Sequence, residues 1–158
     1  MYRFAVIAAL ALLGACGFRL QGALATPPEM ERTYIAANDR HSLFYRELRV
    51  ALDSAGVDIV DNSLNATATL TISYDETDQR VLSVSARNVP TEYEVYYTIA
   101  YSLDSGRDNL LETQTLTVTR DYTYDSTLVL GKGREQELLR QALVDDLVRI
   151  VLKQISAI

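Results

Sequence analysis

The central part of the chain shows a strict alternation of apolar and polar residues. From Tyr93 to Leu103 every second residue is Tyr, Val, Ile or Leu, and the residues between are Glu, Tyr, Thr, Ala and Ser. A period of two is typical of a β-strand with one buried face. Residues 66–74 alternate in the same way, and a turn-rich link at 104–109 leads into a threonine-rich returning strand over 110–120. Such strands need a second layer to cover their apolar face.

Two predicted helices can supply that layer. Apolar residues recur at helical spacing over 44–55, with Ser42 or Asp39 available as the N-cap, and again over 139–151. A short strand is predicted over 31–37, ahead of the first helix. The predicted fold class is therefore α+β, with two helices packed on one face of a mainly antiparallel, roughly four-stranded sheet. The expected element order is β-α-β-β-β-α.

The sheet face opposite the helices is expected to be rich in hydroxyl groups. The alternation that begins at residue 66 is interrupted by the polar residues 75–80 and resumes over 81–86. A face of this kind is left either for solvent or for a partner. The side chains expected on it are Thr67, Thr69, Thr71, Tyr96, Thr98 and Thr117.

The N-terminal sequence predicts an exported protein with a lipid anchor. One positive charge at Arg3, an apolar run over 4–13 and the small residues Gly14 and Ala15 lead directly to Cys16, the only cysteine. This order is typical of a lipoprotein signal peptide, because a membrane span needs about 20 apolar residues. Cleavage before Cys16 leaves its thiol to carry diacylglycerol and its new amine to carry an N-acyl chain, and several acyl chains anchor a protein stably.

The expected organisation is a signal peptide at 1–15, a lipidated N-terminus and tether at 16–29, and a single α+β domain at 30–158. Gly17, in place of the aspartate that favours inner-membrane retention of lipoproteins, points to the outer membrane. Two alternatives remain. The apolar run is the first buried helix or strand of a cytosolic domain, or Cys16 forms an intermolecular disulfide.

Composition excludes several classes of function. The formal net charge is −6 and no basic run or basic-aromatic patch is present, so we expect no nucleic-acid partner. His41 is the only histidine, which excludes a histidine-rich metal site. No catalytic motif occurs, and Asp145 and Asp146 are expected on the exposed side of the last helix, where adjacent residues do not converge. We therefore expect no enzyme and no cofactor apart from the acyl groups on Cys16.

Three local motifs resemble those of one known family. The first is Cys-Gly-Phe-Arg-Leu-Gln-Gly at residues 16–22. The second is Arg-Asp-Tyr-Thr-Tyr-Asp at 120–125, followed by Leu-Val-Leu-Gly-Lys at 128–132. The third is the leucine-rich C-terminal helix. In this order they are similar to the LptE family of lipopolysaccharide-assembly lipoproteins. Gly131 stands where the family usually has alanine, and the last helix is less basic than in many members.

The resemblance implies an outer-membrane lipoprotein that binds lipopolysaccharide and acts as a plug and assembly partner of the LptD β-barrel. Two family positions implicated in lipopolysaccharide binding match Arg87 and Lys132. Arg120 and Arg134 lie near them in sequence and would widen a cationic cluster. A phosphate-bearing ligand needs such cations. The alternative for Arg87 and Lys132 is an ordinary solvated loop charge.

Two tyrosines, Tyr122 and Tyr124, lie on the same side of an extended segment. Their rings combine apolar area with a hydroxyl, so they are candidate partner contacts or, equally, core residues. The alternative function is a generic outer-membrane lipoprotein that binds ligands without a barrel partner. A tethered hydrolase is opposed by the missing catalytic residues.

Overall fold

The computed structural model describes residues 26–106, 108–123 and 132–158. The elements are β1 (Arg32–Ala37), α1 (Leu43–Ser54), β2 (Asp58–Val60), β3 (Ala68–Val84), β4 (Pro90–Asp104), β5 (Asn109–Thr123) and α2 (Lys132–Ile155), with short 3-10 helices at Pro28–Met30 and Ser63–Asn65. The five strands form one sheet in the order β2-β1-β3-β4-β5. β1 runs parallel to both of its neighbours, whereas β3, β4 and β5 form antiparallel pairs.

The predicted α+β class is confirmed, with two corrections to the sheet. It has five strands rather than four, and its pairing is mixed because β1 runs parallel to β2 and β3. The additional strand is β2, in which Asp58 lies opposite Arg32 of β1. A strand of three residues is too short to display a period of two. The β1-α1-β2 unit carries the chain back to the same end of the sheet, which makes these two strands parallel.

β3 is one strand of 17 residues, although the polar residues 75–80 suggested an interruption. The strand runs through these residues, and its register with β4 shifts between Ile72 and Tyr74. An inserted residue moves every following side chain to the opposite face of the sheet. The apolar alternation predicted Tyr74 on the buried face, but it is exposed. Asp75 instead lies opposite Ile99, on the face that the helices cover.

The hydrophobic core lies between the two helices and one face of the sheet. The odd-numbered residues of β4 from Val95 to Leu103 are buried there, as the alternation predicts. Full burial of each aliphatic side chain stabilises a fold by roughly 1.5–3 kcal/mol. The helical residues buried in this core are Phe44, Tyr45, Leu48, Leu52, Leu143, Val144, Leu147, Val148, Val151 and Ile155. Within the described part of the chain, neither helix is long and apolar enough to cross a membrane.

The two helices of the described chain leave the other face of the sheet uncovered, and we call this the open face. Of the side chains expected there, the open face includes Thr69, Thr71, Tyr96, Thr98 and Thr117. The Thr98 and Thr117 hydroxyls lie 2.9 Å apart across the β4–β5 pair.

Thr67 has a different position, since it precedes β3. Its hydroxyl donates to the Glu29 carbonyl at 2.6 Å and accepts from the Arg32 N–H at 3.1 Å. These two hydrogen bonds join the start of β1 to the chain segment that enters β3.

A short chain of hydrogen bonds joins the start of α1 to the sheet. Of the two predicted N-cap candidates, Ser42 is the N-cap of α1. Its hydroxyl accepts a hydrogen bond from the Tyr45 N–H at 3.0 Å and donates one to the Asp75 carboxylate at 2.5 Å. The second Asp75 oxygen accepts from the Tyr97 hydroxyl at 2.6 Å. The bulge in β3 places Asp75 on the face that the helices cover. The bulge therefore determines that Asp75 is the carboxylate hydrogen-bonded to the N-cap of α1.

Replacing the N-cap should destabilise the protein measurably. In Ser42→Ala, the cap to Tyr45 and the hydrogen bond to Asp75 are both lost, so we expect the free energy of unfolding to fall by about 1–2 kcal/mol. Urea unfolding followed by circular dichroism measures this. Ser54→Ala, on the exposed last turn of the same helix, is the matched control and should be nearly neutral. Equal losses in the two variants would show that the cap has no special role.

Alkaline pH should weaken the fold through two buried tyrosines. Burial raises the pKa of Tyr101 to about 12, and burial followed by the hydrogen bond to Asp75 raises the pKa of Tyr97. The folded pKa lies above the unfolded value of about 10, so this contribution to stability is complete below about pH 10. It is then lost as pH rises through the folded pKa.

The Tyr101 hydroxyl also donates to the side chain of Gln154. At neutral pH, Tyr101→Phe should therefore be about 1 kcal/mol less stable than the parent. Between about pH 10 and 12, urea midpoints should fall less steeply in this variant, because one titrating group has been removed. Parallel pH profiles for the two proteins would contradict this role of Tyr101.

Candidate functional site

The tip of the β3–β4 hairpin presents an exposed cation. The two strands pair as far as Val84 opposite Pro90. In the turn, the Ser85 N–H donates to the Val89 carbonyl and the Asn88 N–H to the Ser85 carbonyl, both at 2.8 Å. Asn88 has φ 58°, a left-handed conformation that asparagine tolerates. This hydrogen-bonded turn holds Arg87 exposed at the outermost point of the hairpin.

The same hairpin carries exposed apolar side chains. Val81, Leu82, Val84 and Val89 are each between 45% and 53% exposed. Val81 lies opposite Tyr93, which belongs to the face that the helices cover nearer the centre of the domain. The hairpin therefore extends past the well-packed core, with Val81, Leu82 and Val84 before Arg87 and Val89 after it.

A polar cluster joins the base of this hairpin to α2. The Tyr122 hydroxyl of β5 donates to Gln79 of β3 at 3.1 Å, and the Gln136 amide of α2 donates to the same Gln79 oxygen at 2.5 Å. The Tyr122 ring stacks on Tyr93, with ring centroids 5.5 Å apart and an interplanar angle of 15°. Tyr122 is only 7% exposed, which supports core packing for this residue rather than a partner contact.

The contact at Gln136 shows which end of α2 faces the tip. Lys132 begins the helix four residues earlier, about 6 Å along its axis at 1.5 Å per residue. Gln79 lies eight residues before Arg87, so at the strand rise the tip is at most about 26 Å from the cluster. Gln154, near the other end of α2, contacts Tyr101 deep in the sheet. Arg87 and the start of α2 therefore lie at the same end of the domain. The Lys132 side chain lies outside the described part.

The other cations predicted for this cluster lie in different surroundings. Arg120 pairs with Asp146 of α2 at 2.5 Å, and Arg149 pairs with the same carboxylate. The prediction that Asp146 lies on the exposed side of the helix is therefore wrong, since it faces β5; Asp145 is exposed as predicted. Arg134, in the first turn of α2, is exposed. Arg120 thus stabilises the contact of α2 with the sheet.

The open face near the hairpin is strongly acidic. We call this region the acidic patch, and it consists of Glu76, Asp78, Glu92, Glu94 and Asp121. Arg80 pairs with Glu94 at 2.6 Å, but Asp121 lies directly opposite Glu94 on the other side, where like charges repel. The Tyr74 hydroxyl donates to Glu76 at 2.8 Å, which raises the pKa of Tyr74. The two faces of the hairpin therefore differ in electrostatic potential.

Other predicted positions give no further site. Cys16 and Tyr124 lie outside the described residues. In the part of the chain that the structure covers, no group of three His, Cys, Asp or Glu side chains is placed to hold a metal ion. The His41 N–H donates to the Asp39 carboxylate at 2.7 Å, next to the α1 cap, and the histidine is exposed.

Comparison with protein families decides the classification. The model of the LptE family, described as lipopolysaccharide-assembly, matches residues 30–155. The chain belongs to the LptE family. This confirms the resemblance seen in the motifs, and with it the assignment as a lipoprotein of lipopolysaccharide assembly.

Relatives of the LptE family support the assignment over most of the chain. The LPS-assembly lipoprotein LptE of Yersinia enterocolitica is 25% identical over 152 residues, covering 95% of this chain and 72% of that protein. The solution structure of lipoprotein B from Nitrosomonas europaea is 27% identical, with a TM-score of 0.74, covering 89% of this chain and 91% of that one.

The crystal structure of the rare lipoprotein B from Shewanella oneidensis is similar in fold. It has a TM-score of 0.70 at 22% identity and covers 80% of this chain and 94% of that one.

The polar cluster at the base of the hairpin should contribute to stability. In Tyr122→Phe, the hydroxyl that donates to Gln79 is removed, whereas the stacking on Tyr93 is kept. We expect a loss of about 1 kcal/mol in the free energy of unfolding, measured with urea. Tyr34→Phe, in which an exposed hydrogen bond from Arg40 is lost instead, is the control and should lose less. A larger effect of the control would contradict the role of the cluster.

Proposed function

We propose that this protein is a non-enzymatic outer-membrane lipoprotein, anchored by acyl chains on Cys16. It binds lipopolysaccharide and acts as a plug and assembly partner of the LptD β-barrel. The observation that carries the ligand half of this proposal is the single arginine held at the tip of a projecting hairpin. Membership in a lipopolysaccharide-assembly family supplies the ligand class.

The cations at this end of the domain suit the phosphates of a lipopolysaccharide. Arg87 offers a planar guanidinium that binds phosphate oxygens in pairs, and the ammonium group of a lysine such as Lys132 acts as a point charge. Lys132 begins a helix of 24 residues whose N-terminus lies at the same end of the domain as the hairpin tip. The partial positive charge of a helix N-terminus favours anions near it.

The acidic patch favours one direction of approach. A phosphate that approached Arg87 across the open face would pass Glu92 and Glu94 and be repelled by both. On the helix side, the first turn of α2 carries Arg134 and Glu135, whose opposite charges offset each other, so this side repels an anion less than the acidic patch does. We therefore place the ligand on the helix side of the hairpin tip. A chain of net charge −6 can bind an anion in this way because its charges are segregated.

The open face supports the barrel half of the proposal. The lumen of a large outer-membrane barrel is polar. A plug inside it should present hydroxyls and charges rather than a continuous apolar surface, and the open face carries threonine, tyrosine and acidic side chains. Partner contacts of the LptD barrel are therefore expected on Tyr96, Thr98 and Thr117 of the open face. For Tyr124 a partner contact remains a proposal as well.

Charge reversal at the two cations tests the ligand site. Arg87→Asp combined with Lys132→Asp should weaken lipopolysaccharide binding at least about tenfold, because two charged hydrogen bonds are lost. Fold and barrel association should survive. Arg46→Asp with Lys153→Asp, which changes the net charge equally on exposed positions of the helices, is the control and should bind normally. Retention of labelled lipopolysaccharide on the immobilised full chain measures the effect. Equal binding by both double variants would return Arg87 and Lys132 to solvated loop charges.

A purification tests the partner. The tagged full chain, extracted from membranes in mild detergent, should bring down one large β-barrel protein. The same residues 1–29 joined to an unrelated domain serve as the control, since they carry the anchor without the open face. If neither protein brings down a barrel, the function is that of a generic lipoprotein binding module. If both do, the contact lies in the anchor segment.

A further inference from the structure

A groove between the two helices is left open on the outside of the described domain, and we call it the interhelical groove. It has a volume of about 290 Å³ and is lined by Val50 and Ala51 of α1 and by Val148 and Leu152 of α2. Val50 is 62% exposed. Apolar surface between two helices commonly receives an apolar segment of a partner or of the same chain. The groove therefore suits large apolar side chains.

Two carboxylates that line the groove have no cation beside them. Glu47 and Asp145 form no ion pair with the described residues, and Asp145 accepts a hydrogen bond from the Gln141 amide at 3.1 Å. Arg149 also lines the groove, but it already pairs with Asp146. A segment with one positive charge next to apolar side chains would match both the apolar lining and the two carboxylates.

The N-terminal segment of the same chain has this composition. Phe18, Arg19 and Leu20 are consecutive, and Arg19 is the only charged residue between positions 16 and 25. In an extended segment, side chains two residues apart point to the same side. Phe18 and Leu20 would then enter the groove together, while the long arginine side chain between them reaches the carboxylates beside it.

The described chain begins near enough for this contact. Thr26 is the first described residue, and at residue 31 the Glu31 carbonyl accepts from the Asp58 N–H at 3.0 Å, just past the end of α1. Ala51 lies one turn before that end, about 5 Å along the helix axis. The six residues from Leu20 to Thr26 span up to about 20 Å, so the segment reaches the groove.

We infer that residues 18–20 of this chain dock in the interhelical groove. Phe18 and Leu20 pack on its apolar lining, and Arg19 pairs with its two carboxylates. The acylated Cys16 then lies beside the helices, on the side of the domain opposite the open face, which stays clear for the barrel. The docking itself needs neither the ligand nor the barrel, and only this consequence for the anchor rests on the proposed function.

Thiol labelling of the full chain in dodecylmaltoside measures the docking. The acylated parent has no free thiol, because Cys16 is the only cysteine. Val50→Cys introduces a thiol in the groove, and Leu64→Cys introduces one at a position that is 88% exposed and outside the groove. Adding Phe18→Ser with Leu20→Ser should speed maleimide labelling of the first thiol about fivefold, because two large apolar side chains no longer cover it. Labelling of the second thiol should not change.

A charge exchange tests the arginine. Arg19→Glu should also speed labelling of the thiol in the groove, since Glu47 and Asp145 then repel the segment. Adding Glu47→Arg with Asp145→Arg should restore the slow labelling of the parent sequence. Asp53→Arg with Glu137→Arg, at exposed carboxylates elsewhere on the same helices, is the matched control and should not restore it. Restoration by both pairs, or by neither, overturns the role of Arg19.

The outcomes separate the docking from the proposed function. Faster labelling in the serine variant, confined to the thiol in the groove, supports the docking, and equal rates with and without the serines overturn it. Protection that increases with protein concentration assigns the groove to a second copy and also overturns the docking. Labelling of the parent, detected by mass spectrometry on the peptide that contains Cys16, overturns the acyl anchor of the proposed function. The rates at residue 50 still decide the docking in that case.

Discussion

The backbone pairing of β3 with β4 is the interaction on which the rest of this fold depends. It runs from Thr69 opposite Asp104 to Val84 opposite Pro90. Its first part joins β1 and β5 into one sheet and presents the apolar residues that the helices cover. Its last part extends beyond that core and becomes the hairpin that carries Arg87. The hydrophobic core and the candidate site therefore lie at the two ends of the same β3–β4 pairing. The rigid packing of the core helps to hold the hairpin tip in position.

The bulge between Ile72 and Tyr74 divides this ladder into an apolar and a polar part. Before it, β3 directs Leu70 and Ile72 toward the helices; after it, the same face carries Asp75 and Gln79. Each of these polar side chains is satisfied by hydrogen bonds, from Ser42 and Tyr97 in one case and from Tyr122 and Gln136 in the other. The half-buried Asp75 carboxylate would be unfavourable without these partners, so the bulge that places it and the Ser42 cap depend on each other.

Charge is distributed as unevenly as polarity. The acidic patch occupies the open face beside the hairpin, Arg120 and Arg149 share the one carboxylate of Asp146, and Arg87 is left exposed at the tip. The repulsion between Glu94 and Asp121 is a cost to the isolated domain, and such local conflicts are common where a surface serves a function rather than stability. Segregation of this kind lets an acidic protein present one cationic, partly apolar tip.

Much of the fold follows from local patterns. The alternation in β4, the helical spacing with Ser42 as cap, and the motifs near both ends of the chain are each contained in a short stretch of residues. The alternation and the helical spacing are enough to predict the α+β class, because burial of one face is a local property. The motifs are enough to predict the family. Arg87 could be named from the family resemblance, but no local pattern indicated that the valines around it would be exposed.

Only the tertiary structure decided the register and everything that depends on it. The strand β2 is too short to have a period, the bulge reverses the face of Tyr74 and Asp75, and Asp146 meets Arg120 across 26 residues of chain. Gln136 reaches Gln79 across 57 residues. Contacts of this range depend on how strands and helices align in space, and a one-residue shift in alignment changes all of them while leaving the sequence pattern nearly the same.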